Sequence, residues 1–224
     1  MFCFIVKKKK DVLLSASNSY LIALAIEKAS RMTYEQFVRK YQIDYLDLKN
    51  TFFVDELNKL KQDELSDKKP MHTLFKQEAH YINPNEVAKS YIDNDPEKLD
   101  ESFDWNLVGF GDVYASAQDV STWDIALAGT ILTTDPADAA LIYKPITING
   151  REVNASGGWQ FTFSKGSMDI YGSNGGYTAY LSRFTDISDL ICVTLLANKP
   201  NLDVTELARN IANAYKTELG IEVD

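Results

Sequence analysis

Two histidines, two cysteines and a scatter of carboxylates are the residues of this 224-residue chain whose types could do chemistry. His72 and His80 both fall in a polar stretch, and neither has the company of ligands that a His-rich metal site needs. A Ser-His-Asp triad would have to draw its base from that stretch. No Gly-x-Ser-x-Gly turn is present to hold its nucleophile. Cys3 and Cys192 cannot form a disulfide framework, and neither belongs to a metal-spaced cluster. No cofactor is therefore expected. Asp112 and Asp119 read as a loop residue and a helix-start charge, since no second element sets their separation as an acid–base pair. Trp105, Trp123 and Trp159 could line a cleft, but large aromatics more often serve the core.

The charge balance narrows the partners. A formal net charge of −9 and a pI near 4.8 argue against nucleic acid, whose phosphates require clustered Lys and Arg. The one dense basic run is Lys7 to Lys10. Ahead of it lie six apolar residues, Met1 to Val6, the reverse of a secretory signal's order. No segment approaches the ~18 apolar residues that span a bilayer, so no membrane partner is expected. Compartment stays open. With 45% apolar and 25% charged residues, the composition is that of an ordinary globular domain with room for a core.

Which elements could position these residues follows from periodicity. Tyr20 to Ala29 reads as a buried helix, with Ser17, Asn18 and Ser19 offering capping oxygens ahead of it. Thr33-Tyr34-Glu35-Gln36 fits a capping box for a second helix carrying Phe37, Val38 and Tyr41. From about Asp55 to Asp104 the chain is polar and reads as an insertion with weak periodicity. Ser116 and Asp119 then open a helix carrying Val120, Trp123, Ile125 and Leu127, with Gly129 as its stop. Strands follow at Trp159 to Phe163, Met168 to Tyr171, Thr178 to Phe184 and Leu190 to Ala197. The last is apolar enough to be a central strand covered on both faces. Asp203 and Glu206 open a final helix with Leu207, Ala208, Ile211, Ala214 and Tyr215 on one side. The layout is α+β: a mainly helical part over 17–130, with its insertion near 55–104, then an antiparallel sheet and helix over 155–219.

Four segments in this order resemble the serine β-lactamase and penicillin-binding-protein superfamily, nearest its class C β-lactamase, D,D-peptidase and esterase branch. They are Ser17-Asn18-Ser19-Tyr20 running into Ile26-Glu27-Lys28-Ala29-Ser30, and Tyr34 to Val38 running on to Lys49-Asn50-Thr51. The third is Gly109 to Ser116 with Asp119 to Leu127. The fourth is Tyr171-Gly172-Ser173-Asn174-Gly175-Gly176 with Leu196-Ala197-Asn198-Lys199. The resemblance implies a sheet flanked by helices and acyl transfer through an acyl-serine, acting on D-Ala peptides, β-lactams or esters. It also implies three site elements. These are a Ser-x-x-Lys nucleophile helix, a Tyr-x-Asn relay, and a strand edge reading Lys/His-Ser/Thr-Gly.

Each element departs from that pattern here. The sole Ser-x-x-Lys is Ser66 to Lys69, flanked by Asp63, Glu64, Asp67 and Lys68, which reads as a solvated charge run without the burial that lowers a lysine pKa. Ala16 stands where the relay tyrosine belongs, and Tyr20, out of phase, is expected to pack. Tyr81-Ile82-Asn83 repeats the motif's letters out of place. Asn18 remains, as a ligand-facing amide or as a helix cap. Ser173-Asn174-Gly175 keeps the glycine and loses the cation. The expected ligand contacts are Asn18, Ser173, Asn174 and Gly175, and no catalytic residue is assigned. A truncated or non-catalytic copy of the fold is implied, with a D-Ala peptide or small molecule as its ligand. Alternatives are a nucleophile from another polypeptide, Ser173 first among unusual residues, or an interaction module. The relatives' N-terminal strands and nucleophile helix have no counterpart in the sixteen residues before Ser17. The strand at Leu190 to Ala197 would then keep an exposed edge prone to self-association, unless Met1 to Val6 pairs with it.

Overall fold

The structure, a computed structural model, describes residues 4–6, 12–14, 16–57, 87–89, 108–162, 166–174, 176–185, 191–199 and 202–218. Phe4–Val6 (β1) pairs antiparallel with Val12–Leu14 (β2) in a small hairpin. The alternative in which Met1 to Val6 pairs with the last strand is not what forms: among the described residues Phe4–Val6 pairs with Val12–Leu14.

Helix α1 spans Ala16–Ser30. Ser17, Asn18 and Ser19 therefore lie inside its first turns rather than ahead of it. Its buried residues are small, Ser19 and Ala23, whereas Leu21 is 61% exposed and Leu24 39%. The reading of a buried helix is corrected accordingly: α1 packs by close approach of small side chains. What approaches is Gly109, with φ of +83°; a Cβ there would lie 3.0 Å from Ala23 Cβ and 3.0 Å from the Ser19 carbonyl oxygen.

Helix α2, Tyr34–Val38, begins with the expected capping box. Thr33 Oγ1 accepts from the Gln36 N–H at 3.2 Å, and Gln36 Oε1 accepts from the Thr33 N–H at 3.1 Å. Glu27 of α1 accepts from the Tyr34 N–H at 2.8 Å, joining the two helices. A π-helical turn, Arg39–Ile43, continues α2, and Arg39 pairs with Asp44 and Glu56. Phe52–Phe53 (β3) then pairs with Val113–Tyr114 (β4).

Helix α3, Ala117–Ala128, starts where Ser116 Oγ accepts from the Asp119 N–H at 3.1 Å and stops at Gly129. Ile125 is 65% exposed, not on the core side as its spacing suggested. A short helix α4 (Pro136–Ile142) and a hairpin of Ile146–Ile148 (β5) with Arg151–Val153 (β6) lead into the main sheet. That sheet is a five-stranded antiparallel meander, ordered β11-β10-β9-β8-β7. Its strands are Ala155–Ser156 (β7), Trp159–Thr162 (β8), Ser167–Asn174 (β9), Tyr177–Arg183 (β10) and Cys192–Ala197 (β11). Helix α5, Thr205–Glu218, follows.

Strand alternation divides the core between two faces. Tyr180, Phe184, Ile191 and Val193 pack under Val204, Ala208 and Ala212 of the α5 region. Leu207 and Tyr215 of α5 are 52% and 62% exposed, so they fall off the side the sequence assigned them to. On the other face Trp159, Phe161 and Leu181 pack with Val120 and Trp123 of α3. β11 is covered on both faces, as its composition requires, yet it is the terminal strand of the sheet and not a central one. Each strand of this sheet pairs with its neighbour in sequence, and the meander places its last strand at an edge.

Candidate functional site

The site elements named by sequence are spread over α1, the loop before α3, and the β9–β10 hairpin. Asn18 is half-buried in the first turn of α1. Next to it, the Ser19 backbone touches Gly109, whose N–H donates to Asp112 Oδ2 at 2.8 Å. Burial raises the Asp112 carboxyl above the ordinary range. Nearby Tyr34 is pushed up to about 12, first by burial and then by the Asp112 charge. A hollow lined by Glu35, Val54, Asp55, Val108 and Asp112 has about 20 Å³ of room, enough for a water. Among the described residues no cluster of three or more His, Cys, Asp or Glu could hold a metal ion.

Two of the resembling segments are clasped together at Asp119. Its Oδ2 accepts from the Asn50 N–H and from Thr51 Oγ1, both at 2.7 Å, while the Ser116 N–H donates to the Asn50 carbonyl. Asp119 is therefore a buried joint between β3 and α3, as well as the helix-start charge read from sequence. Trp123 Nε1 donates to Gln42 Oε1 at 3.0 Å and so ties α3 to the π-helical turn.

From β4 the contacts pass to the sheet through aromatics that motif reading did not single out. Phe52 stacks on Tyr114, with ring centroids 5.6 Å apart, and Tyr114 meets Tyr177 edge-on at 5.9 Å. The Tyr177 hydroxyl donates to the Ala88 carbonyl at 2.8 Å, so in its hydrogen bond with Tyr114 it is the acceptor. Burial raises the Tyr114 phenol, and its tie to Tyr177 raises it further. The raised phenol keeps the proton on Tyr114 at neutral pH.

Ser173 is exposed on β9, and its Oγ donates to the Tyr177 carbonyl at 3.1 Å. A carbonyl cannot take the proton that activation of a serine would release. In register Ser173 lies opposite Thr178, and Tyr171 opposite Tyr180, so both sit on the α5 face of the sheet. Asn174 lies opposite Tyr177 at the hairpin end. The register thus gives the Ser173 side chain to the face away from α1, and no described contact joins it to Asn18. β9 also extends beyond its ladder with β8, which covers Ser167 to Asp169, while its ladder with β10 runs on to Asn174.

Ala16 is the first residue of α1. Tyr20 is 37% exposed, so the expectation that it packs is corrected. Trp123 and Trp159 serve the core. Gly175, Trp105, Ser66 to Lys69 and Tyr81 to Asn83 lie outside the described residues.

The model of the family described as Beta-lactamase matches residues 14–216. The chain belongs to the β-lactamase family. Among the solved structures similar to this β-lactamase-family chain are two described as a penicillin-binding protein or its homologue. The octameric penicillin-binding protein homologue from Pyrococcus abyssi is 18% identical, with a TM-score of 0.59 over 96% of this chain and 44% of its own. FmtA from Staphylococcus aureus is 14% identical, with a TM-score of 0.60 over 95% of this chain and 53% of its own. A penicillin binding protein from Bacillus halodurans is 12% identical, with a TM-score of 0.57 over 95% of this chain and 58% of its own. These identities establish the shared fold. The chain spans about half the length of the structures it matches. No curated protein matches it.

Proposed function

We propose that this β-lactamase-family chain binds a ligand of the family's class, a D-Ala-ended peptide or a related acyl compound, without forming an acyl-serine. The observation that carries the reading is the state of Ser173. It stands where the family's strand edge carries a cation, and its hydroxyl donates to the Tyr177 backbone carbonyl. Ala16 at the relay position and the raised phenol of Tyr114 point the same way, since neither can move a proton from a nucleophile at neutral pH. Ligand contact falls to the Asn18 amide, to the backbone edge of Ser173 and Asn174, and to Gly175. β9 runs past its ladder with β8 there, so an extended ligand can lie along the strand by backbone hydrogen bonding.

A working hydrolase would need a nucleophile helix from residues other than those quoted. Incubation with a fluorescent penicillin and with a fluorophosphonate, read by intact mass, tests this. The expected result is no adduct, and a stoichiometric adduct overturns the proposal. Titration with a D-Ala-D-Ala peptide followed by NMR is expected to give saturable shifts at the Asn18 side-chain amide and the β9–β10 hairpin. Shifts absent from both sites would leave the second reading, a module that meets other proteins through this surface.

A further inference from the structure

The two edges of the main sheet differ in kind. At one end β7 is two residues long, Ala155–Ser156, too short to template another strand. At the other end β11 runs six residues, Cys-Val-Thr-Leu-Leu-Ala, with no charge and no proline. The Phe184 N–H donates to the Ile191 carbonyl, so the alternation along the ladder turns the backbone groups of Val193, Leu195 and Ala197 toward β10. Those of Cys192, Thr194 and Leu196 point away from the sheet, and among the described residues no strand pairs with them.

Both helices that cover β11 overhang this edge with apolar side chains. On one face Ser121 of α3 bonds Thr194 at 2.8 Å, and one turn on from Ser121 lies Ile125, 65% exposed. On the other face Arg209 of α5 lies over the Phe184 ring, which puts Leu207, 52% exposed, on the opposite side of α5, toward the edge. Leu196, 41% exposed, shares the α3 face of β11 with Thr194. None of these residues is charged, in a chain whose net charge is −9.

We propose that β11 is a dimerisation edge, at which two copies of this chain pair β11 antiparallel to β11 about a twofold axis near Thr194. That axis sets Cys192 of one copy opposite Leu196 of the other and brings the Ile125 and Leu207 overhangs of both copies over the joint. The obvious strand from within the chain, Phe4–Val6, is already engaged with Val12–Leu14. Two acidic copies repel wherever their charged surfaces meet, and this neutral strip is where they can meet without that cost. The proposal stands independently of ligand binding in the cleft.

Sedimentation velocity and light scattering on the full 224-residue chain test it over a concentration series. A dimer that dissociates on dilution is expected, with concentration-dependent protection of the Thr194 and Leu196 amides from hydrogen exchange. Leu196→Lys sets cations against the joint and is expected to weaken the dimer at least about tenfold with unchanged circular dichroism. Leu207→Lys, at a site already half exposed, is the second variant, with the same expected loss. A chain that stays monomeric at all concentrations overturns the proposal. So does a dimer that survives both substitutions, or one whose Thr194 and Leu196 amides exchange as fast as in the monomer.

Discussion

Two carboxylates on opposite faces of the main sheet solve burial in different ways. On the α5 face Asp169 accepts from four hydroxyls: Tyr180 at 2.8 Å and Ser182 at 2.5 Å on Oδ1, Ser167 at 2.9 Å and Thr162 at 3.2 Å on Oδ2. Each donor is neutral, and both oxygens are served. On the α3 face Asp124 is fully buried and depends on a single cation. Arg183 grips Oδ1 through Nε at 3.1 Å and Nη2 at 2.6 Å, and also donates to the Asp124 carbonyl. Among the described residues Oδ2 has no hydrogen-bond partner, and neither do the Tyr143 hydroxyl and Trp159 Nε1, whose rings lie 5.5 and 5.7 Å from the guanidinium. A shared charge among neutral hydroxyls tolerates editing, whereas a paired charge with no reserve does not.

The largest effect that would break this contrast is at Arg183. Arg183→Met leaves the Asp124 charge uncompensated and is expected to cost about 3–5 kcal/mol in urea denaturation. At Asp169 the conservative change should be mild. Asn keeps one carbonyl oxygen for two donors, and the other two hydroxyls can rotate to accept from its amide, so Asp169→Asn is expected to cost about 1 kcal/mol. If the two costs came out equal, the comparison would fail.

Cys192 sharpens the α3 face by its titration. Burial, with the Asp124 charge beside it, raises its thiol above the ordinary 9.0. A group whose folded pKa is raised contributes stability that is complete below its unfolded pKa and lost as pH rises, because only the unfolded chain can ionise it. Between pH 8 and 10 the parent should therefore lose stability relative to Cys192→Ala, at up to about 1.4 kcal/mol per pH unit. Parallel stability profiles for the two proteins would count against it. The smallest effect is at Tyr143. Among the described residues its hydroxyl has no hydrogen-bond partner, so Tyr143→Phe should leave the stability within about 0.5 kcal/mol of the parent.

Local signals carried well from sequence to structure. The Thr33–Gln36 box, the Ser116–Asp119 cap, the Gly129 stop and the strand meander are each written within a few residues, and each is present. What depends on distant partners was not legible. Asp124 meets Arg183 from 59 residues away, and no pattern near Asp124 announces a buried ion pair. The edge position of β11 follows from sheet order, which an apolar run does not encode. The same holds at the site. The expectation of an altered relay and an altered strand edge rested on Ala16 and Ser173 alone. That Ser173 faces the side of Thr178, away from α1, is a matter of register and needed coordinates.

The Asp119 clasp has a consequence in time. Its partners Asn50 and Thr51 lie 69 and 68 residues away in sequence, so these bonds form only after the chain between them has been brought to closure. Such contacts are made late on the folding route. A change at Asp119 should therefore leave the refolding limb of a chevron nearly where it was and steepen the loss through faster unfolding. The residue that joins two of the fold's recognisable segments would then govern how long the native state lasts rather than how quickly it is reached.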